Sequence, residues 1–311
     1  MQNFVPVADN FSYTQNLQNN IEGEFFCLIA EQGHYGGRTK PTTTRQGLYT
    51  CTLAGELLAS INTRDGDEVA EMMRQALEKW HQKRGRAVEV APGGYDYDPH
   101  NGRWEYPEDG LVLNLYARDL HRESGEVDSR WNLDRVWFTR DEVNSLIPGN
   151  MVIGKNYPIP RHLARRIAKL HLVDIVRGES PRWKNEDLKQ VEIALIAEEI
   201  IDDRMVLRLE GIVRNEAPPI LYVNPFSNQK VDMPRGIELQ LLGDLTYNQT
   251  AGTFENFDAI AVGSRWGATA FNARFDDLGP APIGFAFELA SDSMIDRTPP
   301  QAILSSYFEV V

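Results

Sequence analysis

The chain has 311 residues, 42% hydrophobic and 25% charged, with a formal net charge of -13 at pH 7. That length and balance describe a folded chain of two domains with a substantial core, and they exclude a disordered one. The acidic excess argues against a surface built for phosphate backbones, so nucleic acid is not expected as a partner.

No window holds the run of about eighteen apolar residues that a membrane span needs, and residues 1–20 lack the basic start and apolar run of a secretory leader. If the chain is full length, a cytoplasmic location follows. Cys27 and Cys51 sit in apolar settings, FFCLI and LYTCTL, and are spaced neither as a CxxC redox pair nor as a zinc knuckle. They are expected to be buried thiols behaving as small hydrophobes.

From the N-terminus, the first expected element is a short strand near Phe4 to Val7. A helix follows from Asn20, because Ile21, Phe25, Leu28 and Ile29 recur at helical spacing, and Gly33 stops it. Residues 33–46 form a loop rich in Gly and Thr that concentrates candidate chemistry. His34, Tyr35 and Arg45 supply a titratable ring, a phenol and a fixed cation, and are the catalytic candidates. Gly36 and Gly37 allow backbone to approach a ligand closely and are binding candidates. The ordinary alternative is a surface loop whose glycines satisfy only backbone geometry.

Residues 48–53 and 57–61 then read as a hairpin turning at Ala54, Gly55 and Glu56. Asp65 with Glu68 three residues on begins a helix, Val69, Met72, Met73, Ala76, Leu77 and Trp80 form its apolar face, and Lys83, Arg84 and Gly85 end it. This order of loop, two antiparallel strands and packed helix, in LYTCTLAGELLASINTRDGDEVAEMMRQALEKW, resembles the C-terminal half of the thioredoxin fold. The resemblance implies a reduced, redox-inactive member: there is no CxxC, and Gln46 and Gly47 stand where that family has a cis-proline. The segments AEQGHYGG, TRQGLY, LLASINT, HLVD and RGE also resemble those of uncharacterised bacterial proteins of two-part build, which implies no activity.

Residues 86–109 are dense in Gly, Pro, Asp and Asn and read as a linker. The expected domains are therefore 1–88, thioredoxin-like α/β, and 111–311, antiparallel β-rich, joined by 89–110. Asp96, Asp98 and His100 in the linker lack the repeated ligands of a calcium loop and read as a polar turn.

In the second domain, strands are expected at 111–117 and 135–138. A short helix begins at the Thr139/Glu142 capping box, and a second runs from about Pro160 to Leu172. The second helix carries Arg161, His162, Arg165, Arg166 and Lys169 on its other face, expected to be solvated or an internal docking surface. His171, among apolar neighbours, reads as a hydrogen-bonded structural histidine. Alternation then marks strands through Val191, Met205 to Val213, Leu239 to Tyr247, Phe254 to Val262 and Ile283 to Leu289. The fold class is α+β, the second domain being a curved sheet or partly closed barrel with two short helices. Residues 263–282 supply Arg265, Trp266 and Arg274 as a candidate binding rim beside the Asp276/Asp277 pair.

Familiar catalytic motifs are missing: there is no GxSxG, HExxH, Walker A or strand-borne GxGxxG, and no metal or cofactor is implied. The expected function is noncatalytic binding of a protein partner or small ligand through the 33–46 loop or the 263–282 rim. The alternative is an enzyme using His34 in acid, base or thiol chemistry.

Overall fold

The computed structural model describes residues 3–5, 7, 21–34, 45–83, 106–122, 129–149, 151–225, 227–291, 293, 296–301 and 307–309. The chain divides into two compact units, Met1–Asn101 and Gly102–Val311. The linker segment with Asp96, Asp98 and His100, and the loop residues Tyr35, Gly36 and Gly37, lie outside the described residues.

In the first unit, α1 (Ile21–Gln32) precedes the hairpin β1 (Leu48–Cys51) and β2 (Leu57–Ile61), followed by α2 (Gly66–Gln82). The hairpin turns through Gly55 at φ +76, a left-handed conformation that glycine adopts without strain. Asp65 caps α2 by accepting from the backbone N–H groups of Asp67 and Glu68, so the helix starts where its apolar periodicity does. Met72 and Ala76 of that helix pack on Leu58 and Ala59 of β2. Two expectations change here. Phe4, Val5 and Val7 form no strand, and Val5 and Val7 are exposed. Cys51 is exposed and Cys27 half-buried, because a two-stranded sheet has too few neighbours to enclose both.

The second unit is built on one antiparallel sheet of eight strands in the order β4-β3-β10-β9-β8-β7-β6-β5. These are β3 (Leu111–Asp119), β4 (Trp131–Phe138), β5 (Asn156–Pro158), β6 (Leu188–Ile201), β7 (Arg204–Val223), β8 (Lys230–Asn248), β9 (Thr253–Trp266) and β10 (Ala281–Leu289). The sheet is open, with β4 and β5 at its edges, so it does not close into a barrel. Hairpin connections carry β6 to β9, and the positive φ of Asp202 (54) and Gly252 (69) turns two of them.

Two short helices join the core side: α3 (Arg140–Leu146) and α4 (Arg161–Arg166), the latter continuing as a wider helical turn over Ile167–His171. Thr139 and Glu142 form the expected reciprocal capping box at the start of α3. Val143, Leu146, Leu163, Ala168 and Leu172 share one core with the inward residues of the strands, such as Leu207, Leu239, Ala261 and Phe285. Period-2 alternation thus assigns one face of β6 to β9 to the core and leaves the other outside, whereas Val112 of β3 and Trp137 of β4 join a second buried cluster with Tyr307.

The central strands approach one another closely. A Cβ on Gly263 would lie 1.9 Å from the backbone oxygen of Glu238 on β8. Gly263→Ala should therefore spread the β8–β9 pair and destabilise the second unit by about 3 kcal/mol, read by urea denaturation. An unchanged midpoint would show that the strands are not so closely set.

Candidate functional site

Four places can be judged for chemistry: the surroundings of His34, the end of the sheet where Arg265 and Arg274 lie, the polar cluster around His171, and the outer sheet face. His34 follows the end of α1 and reaches across to β2. Its N–H donates to Ser60 Oγ at 3.0 Å, and Nδ1 lies 2.9 Å from the same oxygen. Nε2 lies 3.2 Å from the carbonyl of Gln46, while the ring stacks on Tyr49 with centroids 5.0 Å apart. A Cβ on Gly47 would come within 2.6 Å of the ring, so glycine there makes room for it. The ring thus joins the helix end to the hairpin.

Arg45, the second candidate, is turned toward α1, where Nη2 meets Glu31 Oε1 at 2.9 Å. Tyr49 O–H donates to the Arg45 carbonyl at 2.6 Å. Although Cys51 is exposed, desolvation by the neighbours around it raises its thiol pKa, which holds it further from the reactive thiolate.

Arg265 and Arg274 do not present free donors at a rim. Arg274 has 0% exposure and Arg265 1%. The Arg274 guanidinium grips Asp119 through Nη1 at 2.6 Å and Nη2 at 2.7 Å. It grips Asp174 through Nε at 2.8 Å and Nη2 at 2.9 Å. Burial opposes its charge, yet these carboxylates override burial and raise its pKa further. Arg265 bonds the carboxylate of Asp277 and donates to its backbone oxygen at 2.6 Å. Arg122 and Arg177 reach the same carboxylate at 2.5 and 3.2 Å. Trp266 is half-buried against Gly236, where a Cβ would meet its ring at 2.0 Å.

The Asp276/Asp277 pair is divided. Asp276 is exposed, meeting Arg177 at 3.3 Å, while Asp277 is enclosed by cations. Burial would raise the Asp277 pKa, but bonds to Arg122 and Arg265 and their charges hold it below the usual range.

A second polar knot lies behind β4. Trp137 N–H donates to Tyr307 Oη at 3.1 Å, and the same oxygen lies 2.8 Å from His171 Nε2. Nδ1–H then donates to Asp134 Oδ2 at 3.0 Å, so the expected structural histidine is present and buried. Burial pushes the Tyr307 phenol up. Of the basic face expected to be solvated or an internal docking surface, Arg166 takes the internal place: it is buried and bonds Glu142 at 2.5 and 2.7 Å.

The remaining place is a groove of about 1180 Å³ over the outer sheet face. Its floor holds Ile212, Leu242, Ile260 and Val262, exposed by 40%, 51%, 49% and 40%. Arg161, Arg165 and Lys189 stand along one end. Register places Ile260 beside Leu242 and Ala286, and Val262 beside Gln240, which pairs with Ile212. The apolar side chains therefore form a continuous band across neighbouring strands. Alternation predicts polar residues on this face, and the departures from it, AIAV in β9 and LL in β8, were the signal present in the sequence.

Among the described residues, no group of three or more His, Cys, Asp or Glu is placed to hold a metal. No helix among them is long and apolar enough to cross a membrane. No protein-family model, curated protein or solved structure matches the chain.

The low pKa of Asp277 has a sign. Its stabilising contribution is fully present above its unfolded value of 3.8 and is lost as pH falls below that toward the folded value. Asp277→Asn should lower stability at pH 7 and flatten its pH dependence below about 4. Equal acid titration curves of stability for both proteins would contradict the ion network.

Proposed function

We propose that this chain is a noncatalytic binding protein that takes its partner on the outer face of the second unit's sheet. The observation that carries the reading is the apolar band of Ile212, Leu242, Ile260 and Val262, left half-exposed on strands whose opposite face is buried in the core. Contiguous exposed apolar surface with a polar border marks an interaction site. A sheet whose backbone is paired strand to strand supplies a preformed surface, so little ordering cost attends binding.

The first unit we read as a reduced thioredoxin-like module without redox chemistry. Its hairpin and helix order supports that reading, as does the separation of its two thiols into different elements. An enzyme centred on His34 has one observation in its favour, the 2.9 Å approach of Nδ1 to Ser60 Oγ. That oxygen already accepts the His34 N–H, and Nε2 faces the Gln46 carbonyl, an arrangement suited to joining segments. Binding is the better reading because the groove offers contact area, whereas His34 offers bonds already used within the fold.

An anionic naphthalene-sulfonate dye tests the groove directly. The native chain should enhance its fluorescence, and Leu242→Glu with Ile260→Glu should remove most of the enhancement while the circular dichroism stays unchanged. Dye binding that is absent, or indifferent to both changes, would overturn the reading.

A further inference from the structure

The shape and charge of the groove restrict its occupant, an inference that rests on the binding reading above. Along β5 to β10, register aligns one outward row as Pro158, Ala194, Glu210, Leu242, Ile260 and Ala286. The neighbouring row is Glu192, Ile212, Gln240, Val262 and Gly284. Beyond them the face turns polar: Arg208, Asp244 and Asp258 on one side, and Arg214, Glu238 and Ser264 on the other. The two rows therefore cross up to six strands, and their exposed large apolar residues, Ile212, Leu242, Ile260 and Val262, are gathered on β7 to β9.

At strand spacings of about 4.8 Å the longer row runs about 24 Å, with the apolar residues at its centre, and the two rows stand about 7 Å apart. Those are the dimensions of about sixteen residues of α-helix, whose body is about 10 Å across. An occupant of a sheet face receives no backbone hydrogen bonds from it, because the N–H and C=O groups below are spent in the ladders. It must satisfy its own backbone, as a helix does and an extended peptide does not. A small apolar ligand needs most of its surface enclosed, and a floor whose side chains stay 40–51% exposed is too open for that.

Charge sets the remaining requirement. Two acids also line the groove: Glu210 pairs with Arg208, and Glu192 keeps its charge while accepting from the Gln190 amide at 3.0 Å. Arg161 and Arg165, by contrast, line the groove with no ion pair formed among the described residues. Lys169 lies close enough to Arg165 and Arg182 that, after desolvation, their charges also lower its pKa. This cationic end stands out in a chain of net charge -13 and would attract an acidic partner while repelling a basic one.

We propose that the groove receives an acidic amphipathic helix of a partner protein. Its apolar stripe lies on Ile212, Leu242, Ile260 and Val262, and its carboxylates meet Arg161, Arg165 and Lys189.

The test uses the full chain and two fluorescent helical peptides of about sixteen residues with the same Leu stripe, one with a Glu polar face and one with Lys. Anisotropy should show the Glu peptide binding at least about tenfold more tightly, with that preference shrinking as salt rises. Leu242→Glu should weaken it by about tenfold or more, and Arg165→Glu should erase the difference between peptides. Circular dichroism of each variant establishes that its fold is intact. Equal binding of both peptides, or none, overturns the helix. So does a dimer, seen by sedimentation, that Leu242→Glu dissolves, because the occupant is then a second copy. If the dye still reports the groove while neither peptide is preferred, the acidic helix fails and the binding reading stands. If the dye also fails, both fall.

Discussion

A guanidinium with no exposed surface must find acceptors for five donors, and Arg274 finds all of them on Asp119, Asp174 and Asp277. Asp119 ends β3, and Asp277 lies in the loop between β9 and β10. The network therefore ties two non-sequential strands and the connections beside them at one end of the sheet. Such a knot adds little net stability over a well-packed apolar substitute. Removing one partner is different, costing about 3–5 kcal/mol, since buried charges are left without counterions. Its effect is on geometry: loops that looked suited to ligands are held rigidly by their own charged side chains.

The same economy of donors explains the other polar clusters. His171, Tyr307 and Asp134 satisfy one another behind β4, and Arg166 with Glu142 fastens α4 to the cap of α3. Among the described residues, Arg166, Arg265, Arg274 and His171 are thus committed to partners within the fold. The outer side differs because no element of the second unit among those described covers the band on β7 to β9, and the band's side chains keep about half their surface. A rigid sheet with one face buried and a band left open on the other has the form of a recognition surface, and function moves from loop to strand.

Much of this was legible in the sequence where the signal is local. The hairpin at β1 and β2, the cap at Asp65, the box at Thr139 and Glu142 and the alternation of β6 to β9 each follow from residues a few positions apart. His171 was legible through its apolar neighbours. Arg274 was not, because Asp174 and Asp119, which take its shortest bonds, lie 100 and 155 positions away, and a sequence does not show which cations are spent on such partners. Arg166 was missed for the same reason, with Glu142 lying 24 positions earlier. The groove left a fainter trace: two apolar residues in succession in β8 and the apolar run of β9 break the alternation, but only register shows that they adjoin.

The central claim is that the band stays open on a rigid sheet in the intact chain. Carbene footprinting of the native protein, read residue by residue by mass spectrometry, tests it most directly. The account predicts heavy labelling of Leu242, Ile260 and Val262 and little labelling of Leu241 and Ala261, their neighbours on the opposite face. Protection of all five residues would contradict it, because the band would then be covered by the chain itself.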